Sequence, residues 1–448
     1  MRRSRDRLPA PAGLPSRSAV QRRRGTVFRL AATTYFATAL GIVTGPIAAR
    51  TLGATGRGEY AAVMSYASFT TAVLAFGMTL SITHALLTER TDPREVLGVV
   101  LRFCAWLVVP SVAIAAVVAV FVLSGYSTAG RVGAFVFVAV VPISVFQQCG
   151  IAFLTAEGAL GALNVVRLAP LLLGAAGVVV LAALGELTLA TYLVLTLAGS
   201  AITLALLVSR LGVRPARGGV LRPQLRFGMR GYPGSLANFT NTSLDQVLIA
   251  PLLGPTDLGY YAIAVTVANL PLGLAQALAA RAISSVAAEA GGLDGEKTGA
   301  MMRRGVVLGV VCTAAVAAVA PFLVPLLYGA AFDRVVSLCL VLMIGTVAVV
   351  VTTLAGPMLT IGGRPGANSI AQLISVVVTV VGLTTLLPSL GVMGAALTSA
   401  AAYWVRAILQ LRTLRQLSDA RLLPTLGDVA DVGSVVARKL PVARLRRA

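Results

Sequence analysis

Apolar runs long enough to cross a lipid bilayer follow one another from residue 28 to residue 411. A hydrocarbon core roughly 30 Å thick takes about 20 residues in helical form. Such runs occur near 28–49, 60–87, 99–124, 132–155, 164–184 and 188–208, and again near 232–253, 259–282, 305–327, 335–360, 367–389 and 392–411. They predict twelve membrane spans, the seventh being the most polar. Of the 448 residues 57% are hydrophobic and 12% charged, against about 25% charged in soluble domains. A water-soluble fold would have almost no surface to cover its core and is excluded.

With the first loop placed outside, alternation puts 33 of the 37 Lys and Arg residues on the side that holds both termini. Only Arg50, Arg57, Arg131 and Arg334 fall on the other. The positive-inside rule makes the basic side cytoplasmic and the protein multi-pass in the cytoplasmic membrane. Of the net charge of +21, +7 lies in residues 1–25, +6 in 209–230 and +5 in 412–448. No aromatic residues are interleaved with these arginines as a single-strand stacking surface requires, so nucleic acid is not an expected partner. Tail 1–25 is expected to be disordered and cytoplasmic. The basic tail 414–448 alternates apolar and basic residues over 425–447, a pattern that suits an interfacial helix or a solvated tail. Cys104, Cys149, Cys312 and Cys339 all fall inside apolar runs without metal-like spacing, so they read as core residues and no metal is expected.

The chain also repeats itself. LGATGRGEYA at 52–61 and LGPTDLGYYA at 253–262 share L-G-x-T-x-x-G-x-Y-A at an offset of 201. LTAEGALGA at 154–162 pairs with LTIGGRPGA at 359–367, Arg131-Val132 with Arg334-Val335, and Leu184-Gly185 with Leu390-Gly391, at offsets of 205, 203 and 206. Six spans per copy makes both copies enter the bilayer from the same side, a parallel repeat about an axis along the membrane normal. The expected fold is an all-α polytopic protein of two six-helix lobes. The N-terminal lobe covers 26–208 and the C-terminal lobe 231–413, joined by a basic cytoplasmic loop at 209–230. Two such lobes enclose a cavity that opens alternately to each side.

The segment AARTLGATGRGEYA between the first two spans resembles the signature of the Wzx-like polysaccharide and oligosaccharide-lipid flippases of the multidrug/oligosaccharidyl-lipid/polysaccharide (MOP) exporter superfamily. DQVLIAPLLGPTDLGYYAIAV resembles the corresponding region of the seventh and eighth spans, and LLYGAAFDR the connection between the ninth and tenth. The resemblance covers roughly 26–414 and implies a flippase for a polyprenyl-diphosphate-linked oligosaccharide. It implies lipid-linked glycan and bilayer as partners, alongside a polysaccharide polymerase or ligase. Twelve spans depart from superfamily members with two more, such as the lipid II flippases. The second-to-third loop, TERTDPREV, lacks the glycine-and-aspartate signature of the major facilitator superfamily, which is also built of two six-span halves.

Polar groups inside spans cost free energy unless they face protein or water, so they mark the candidate substrate path. Asn238, Asn241, Thr242 and Asp245 fall at i, i+3, i+4 and i+7 of the seventh span and share one helical face, expected to look into the cavity. Asp245, read as the only acid deep in a span, is a candidate proton or sodium coupling site, a partner for sugar hydroxyls, or a structural pair within the bundle. No other cofactor is expected. Asn269 and Gln276, seven apart in the eighth span, are expected on one face, and Gln147 and Gln148 supply amides in the fourth. Amides suit carbohydrate because each offers donor and acceptor, and they also join helices.

The resemblance further implies that Arg29 and Arg281, basic residues in the first and eighth spans, contact the diphosphate headgroup; snorkelling anchors are the competing reading. His84, the only histidine, reads as a helix-end residue or a proton relay, and Gly41 with Gly45 as a packing motif. The alternatives to a flippase are a cation-coupled multidrug antiporter of the same superfamily and a membrane glycosyltransferase or polymerase. A single internal acid and basic flanks favour an anionic substrate over cationic drugs. Outer loops as short as GYSTAG and GELT leave no room for a catalytic pocket, so the chain is not expected to be an enzyme.

Overall fold

The computed structural model describes residues 17–212, 216, 219–273, 275–276, 295–417 and 422, with side chains from residue 40 onward except at 160, 295, 297 and 298. Among the described residues the chain is helical and contains no strand. The helices are α1 (Arg17–Leu74), α2 (Met78–Leu87), α3 (Pro93–Trp106), α4 (Val108–Val117, continued by a π turn to Val122), α5 (Thr128–Ala139), α6 (Val141–Ala156), α7 (Leu160–Ala183) and α8 (Leu189–Leu211). The second half holds α9 (Leu221–Leu253), α10 (Pro255–Ala268), α11 (Gly295–Tyr328), α12 (Arg334–Ile361) and α13 (Pro365–Leu417).

Among the described residues six helices are individually long and apolar enough to cross a membrane. Two bent pairs, 40–74 with α2 and α5 with α6, raise the number to eight. Helix α1 is two helices meeting at Gly53, and α13 two meeting at Gly391. Together with the polar α9 and the short described part of α10, these breaks are consistent with twelve segments. The bends of 51° and 50° fall inside the second and fourth spans. The connection between halves is shorter than 209–230, because α8 runs to Leu211 and α9 begins at Leu221. Helix α1 already runs from Arg17, and the 425–447 segment lies outside the described residues.

The repeat is visible in the backbone. Gly53 (φ 67°, ψ −178°) and Gly254 (φ 84°, ψ −179°) make the same left-handed turn at equivalent positions, one that an L residue with a Cβ resists. The matched pairs Gly158 and Gly363, and Gly185 and Gly391, likewise all have positive φ. The two halves are therefore built alike, as parallel-related lobes.

One end of the bundle, called outer after the charge asymmetry, carries the turns at 53, 123–127, 184–188, 254, 329–333 and 391. Here a single apolar core joins both lobes, with Ala62, Tyr66, Leu123 and Val138 in the same cluster as Val247, Tyr261, Val324 and Leu338. At the inner end the cores separate. Phe103, Val145 and Leu207 belong to one cluster, and Met302, Val351 and Leu414 to another. Among the described residues α9 bridges them there, laying Leu221 and Leu225 on the inner core of the N-terminal lobe. The lobes are therefore fused outside and parted inside.

Candidate transport site

A cavity of about 480 Å³ lies between the second, fourth and sixth spans and α9. Its wall carries the hydroxyls of Ser68, Thr71, Thr79, Ser144, Thr196, Ser200, Tyr232 and Ser235, the amide of Gln148, and the rings of Phe137 and Phe239. Among the described residues no charged side chain lines it. Gln148 and Ser144 stand one helical turn apart on α6, which places both on the same face. Several wall hydroxyls are tied down: Tyr232 donates to the carbonyl of Val73 at 2.6 Å and Thr71 to that of Ala67 at 2.7 Å. The wall offers donors and acceptors to a neutral polar molecule, and aromatic faces to its apolar side.

The polar stripe of the seventh span points elsewhere, which corrects the expectation that it looks into this cavity. On α9 the wall residues are Tyr232, Ser235, Leu236 and Phe239, about 120° around the helix from Asn238, Asn241, Thr242 and Asp245 at 100° per residue. Asn241 and Asp245 are 3% and 4% exposed and turn into the C-terminal lobe. The Asp245 carboxyl accepts from Tyr261 Oη at 2.5 Å, Ser399 Oγ at 3.2 Å and its neighbour's backbone N–H at 2.8 Å. Asn241 Nδ2 donates to the carbonyl of Gln372 at 3.1 Å. With the Gln372 amide turned over, the orientation that satisfies both of its ends, it donates to Gly234 O at 2.9 Å and accepts from Arg406 Nη2 at 3.1 Å. Arg406 also reaches exposed Asn238 Oδ1 at 3.4 Å. The stripe thus binds α9 to α10 and α13. Thr242 is exposed and donates to carbonyls of its own helix.

Among the other candidates, Gln147 donates to Ser200 O at 2.8 Å and Oγ at 3.0 Å, joining the fourth and sixth spans, while Gln148 stays exposed in the cavity wall. Asn269 and Gln276 are both exposed but do not lie on one helical face: α10 ends at Ala268 and a turn at Asn269–Pro271, closed by Asn269 N–H to Val265 O at 3.0 Å, intervenes. Proline lacks the N–H that would continue the ladder. The side chain of Arg29, and Arg281 altogether, lie outside the described residues. His84 stacks on Phe227 at 3.9 Å and its Nδ1 lies 3.6 Å from Glu89 Oε1 at a helix end. Among the described residues a Cβ added at Gly41 would meet nothing within 4 Å and one at Gly45 only Tyr328 Oη at 3.8 Å, so neither glycine is needed for a close helix contact there.

Sequence reasoning missed a second buried acid. Glu59 is 5% exposed and accepts from Ser127 N–H at 3.0 Å and from Ser127 Oγ, at the N-terminus of α5. Next to it in the turn, Tyr126 donates to Ala250 O at 2.9 Å. Burial, with Tyr66 and Glu59 nearby, pushes the Tyr126 phenol up, so it stays a donor. Also missed was Tyr261, although the repeat marked it: Tyr60 meets Thr196 Oγ1 at 3.3 Å and Tyr261 meets Ser399 Oγ at 3.2 Å, the same join made in each lobe.

Parallel-related helical lobes built of long apolar helices, with a polar cavity beside α9, define a multi-pass membrane protein. Residues 47–337 match the family described as polysaccharide biosynthesis protein. That is more than half of the chain, and the protein belongs to this family. The fold is similar to that of lipid II flippase MurJ in its inward closed conformation (TM-score 0.73, 12% identity, covering 94% of this chain and 93% of that one). It is also similar to a multidrug resistance MATE family transporter in an inward-facing conformation (0.65, 15%, 85% and 94%) and in an outward-facing one (0.58, 15%, 88% and 95%). No curated protein sequence matches.

Proposed function

We propose that the protein moves a polyprenyl-diphosphate-linked oligosaccharide, or a related polysaccharide precursor, across the cytoplasmic membrane by alternating access. Both termini are cytoplasmic in this reading. The observation that carries it is the hydroxyl- and amide-lined cavity of about 480 Å³, which suits a carbohydrate head, while the lipid tail stays in the bilayer beside the lobes. Gln148, with Ser68, Ser144 and Ser235, belongs to the substrate path. Arg29 and Arg281 remain the candidates for the diphosphate, which arginine binds in bidentate fashion. A polymerase or ligase outside the membrane would consume the delivered glycan. The protein carries and does not catalyse.

The buried Asp245–Tyr261–Ser399 cluster favours proton or sodium coupling, and through it a second reading, a cation-coupled antiporter for small molecules. The two separate in a deletion strain. Lipid-linked sugar should accumulate in the inner leaflet and reach the outer one again on complementation. Normal glycan export without the gene, in a strain with no redundant homologue, would sink the flippase reading.

A further inference from the structure

The duplicated L-G-x-T-x-x-G-x-Y-A turns are placed against each other. Thr55 and Thr256, equivalent residues of the two copies, share a hydrogen bond at 2.8 Å. Gly58 and Gly259 are equivalent too, and their contacts are reciprocal. A Cβ on Gly58 would lie 1.6 Å from Pro255 O and 2.8 Å from Gly259 N; one on Gly259 would lie 2.0 Å from Ala54 O and 3.1 Å from Gly58 N. Pro255 and Ala54 are themselves equivalent, so the interface is a two-fold contact of the motif with its own copy.

Four further hydrogen bonds cross between the lobes close by. Ser65 Oγ donates to Gln246 Oε1 at 2.9 Å, Tyr66 to Val247 O at 2.7 Å and Tyr126 to Ala250 O at 2.9 Å, while Arg50 donates to Leu326 O. All lie at the outer end, where the lobes share one core. The cavity wall on the second span begins at Met64, six residues or roughly 9 Å along the helix from Gly58. The contact therefore stands between the cavity and the outer face.

We propose that the two copies of the motif form a self-complementary clasp that shuts the outer mouth and parts in every transport cycle. The inference rests on carriage by alternating access but not on the identity of the substrate. Chemistry suits the role. At the motif itself backbones meet over glycine, so no large side chain interdigitates there, and the hydrogen bonds that cross it are replaceable by water when the shared outer core parts. Thr55 and Thr256 are already exposed at the rim. Any side chain at Gly58 or Gly259 would wedge the lobes apart, which is why the repeat holds glycine in both copies.

The test has two arms, both in the full chain in native membranes with the four cysteines replaced by alanine. In the first, Thr55→Cys with Thr256→Cys is oxidised. The expected result is an intramolecular cross-link that stops outward movement of lipid-linked sugar, with movement restored by reductant. Failure to cross-link, or full transport by the cross-linked protein, would overturn the clasp. In the second arm, Ser144→Cys in the cavity wall is exposed to a membrane-impermeant maleimide from the outside. Adding Gly58→Ala should raise its labelling rate severalfold; an unchanged rate in protein that remains monodisperse would likewise refute the proposal. Should Gly58→Ala not fold, the cross-linking arm decides. If the unmodified protein moves no lipid-linked sugar, the substrate assignment fails, and labelling of Ser144→Cys in the cross-linked state against the reduced state decides the clasp alone.

Discussion

Thr55 and Thr256 stand 201 residues apart in the chain and 2.8 Å apart in space, each the counterpart of the other in an internal repeat. Both exposed hydroxyls serve one hydrogen bond. Replacing either by valine should therefore lose most of what replacing both loses, about 0.5–1.5 kcal/mol. A double-mutant cycle on the thermal midpoint of the detergent-purified protein reads the coupling. Strictly additive effects would mean that the two hydroxyls do not interact.

Asp245 holds α9 to α10 and α13 through Tyr261 and Ser399. Asp245→Asn should impair export at an unchanged protein level, whereas Tyr261→Phe should lower the melting midpoint by removing a donor from a buried acceptor, a loss of about 1–3 kcal/mol. Export is measured as lipid-linked sugar reaching the outer leaflet. Wild-type export by Asp245→Asn would remove the carboxyl from the transport cycle and leave it a purely structural role.

The two neighbouring glutamines of α6 should behave oppositely. Gln147 is engaged with Ser200 and Gln148 faces the cavity. Gln147→Ala is expected to lower stability by about 1 kcal/mol with little direct effect on substrate, and Gln148→Ala to reduce export while leaving the melting midpoint in place. A loss of stability in Gln148→Ala equal to that in Gln147→Ala would contradict the assignment of the two faces.

Glu59 caps the outer turn of the third and fourth spans through Ser127. Glu59→Ala leaves the Ser127 N–H without its partner, and the cost should be about 1–3 kcal/mol. Limited proteolysis of the 123–127 turn in proteoliposomes would report it as faster cleavage. Cleavage at the wild-type rate would show that the turn does not depend on this acid.

What the order of residues determined by itself was everything that depends on solvent and period. Runs of about 20 apolar residues can only be helices across lipid, and matched glycines 201 to 206 residues apart announced that the second half is built like the first. The asymmetry of arginines set the expected orientation. Periodicity also grouped Asn238, Asn241, Thr242 and Asp245 on one face of α9. It could not say what that face meets, because a helical phase fixes which side chains travel together and leaves the rotation of the helix against its neighbours free. Only tertiary packing turned Asn241 and Asp245 onto α10 and α13 and gave the cavity to Tyr232, Ser235 and Phe239 instead. The same holds for the repeated turn, which the sequence shows to recur without showing that its two copies meet. A close approach between residues 54–58 and 255–259 is a property of two surfaces, and a one-dimensional pattern carries no distance between them.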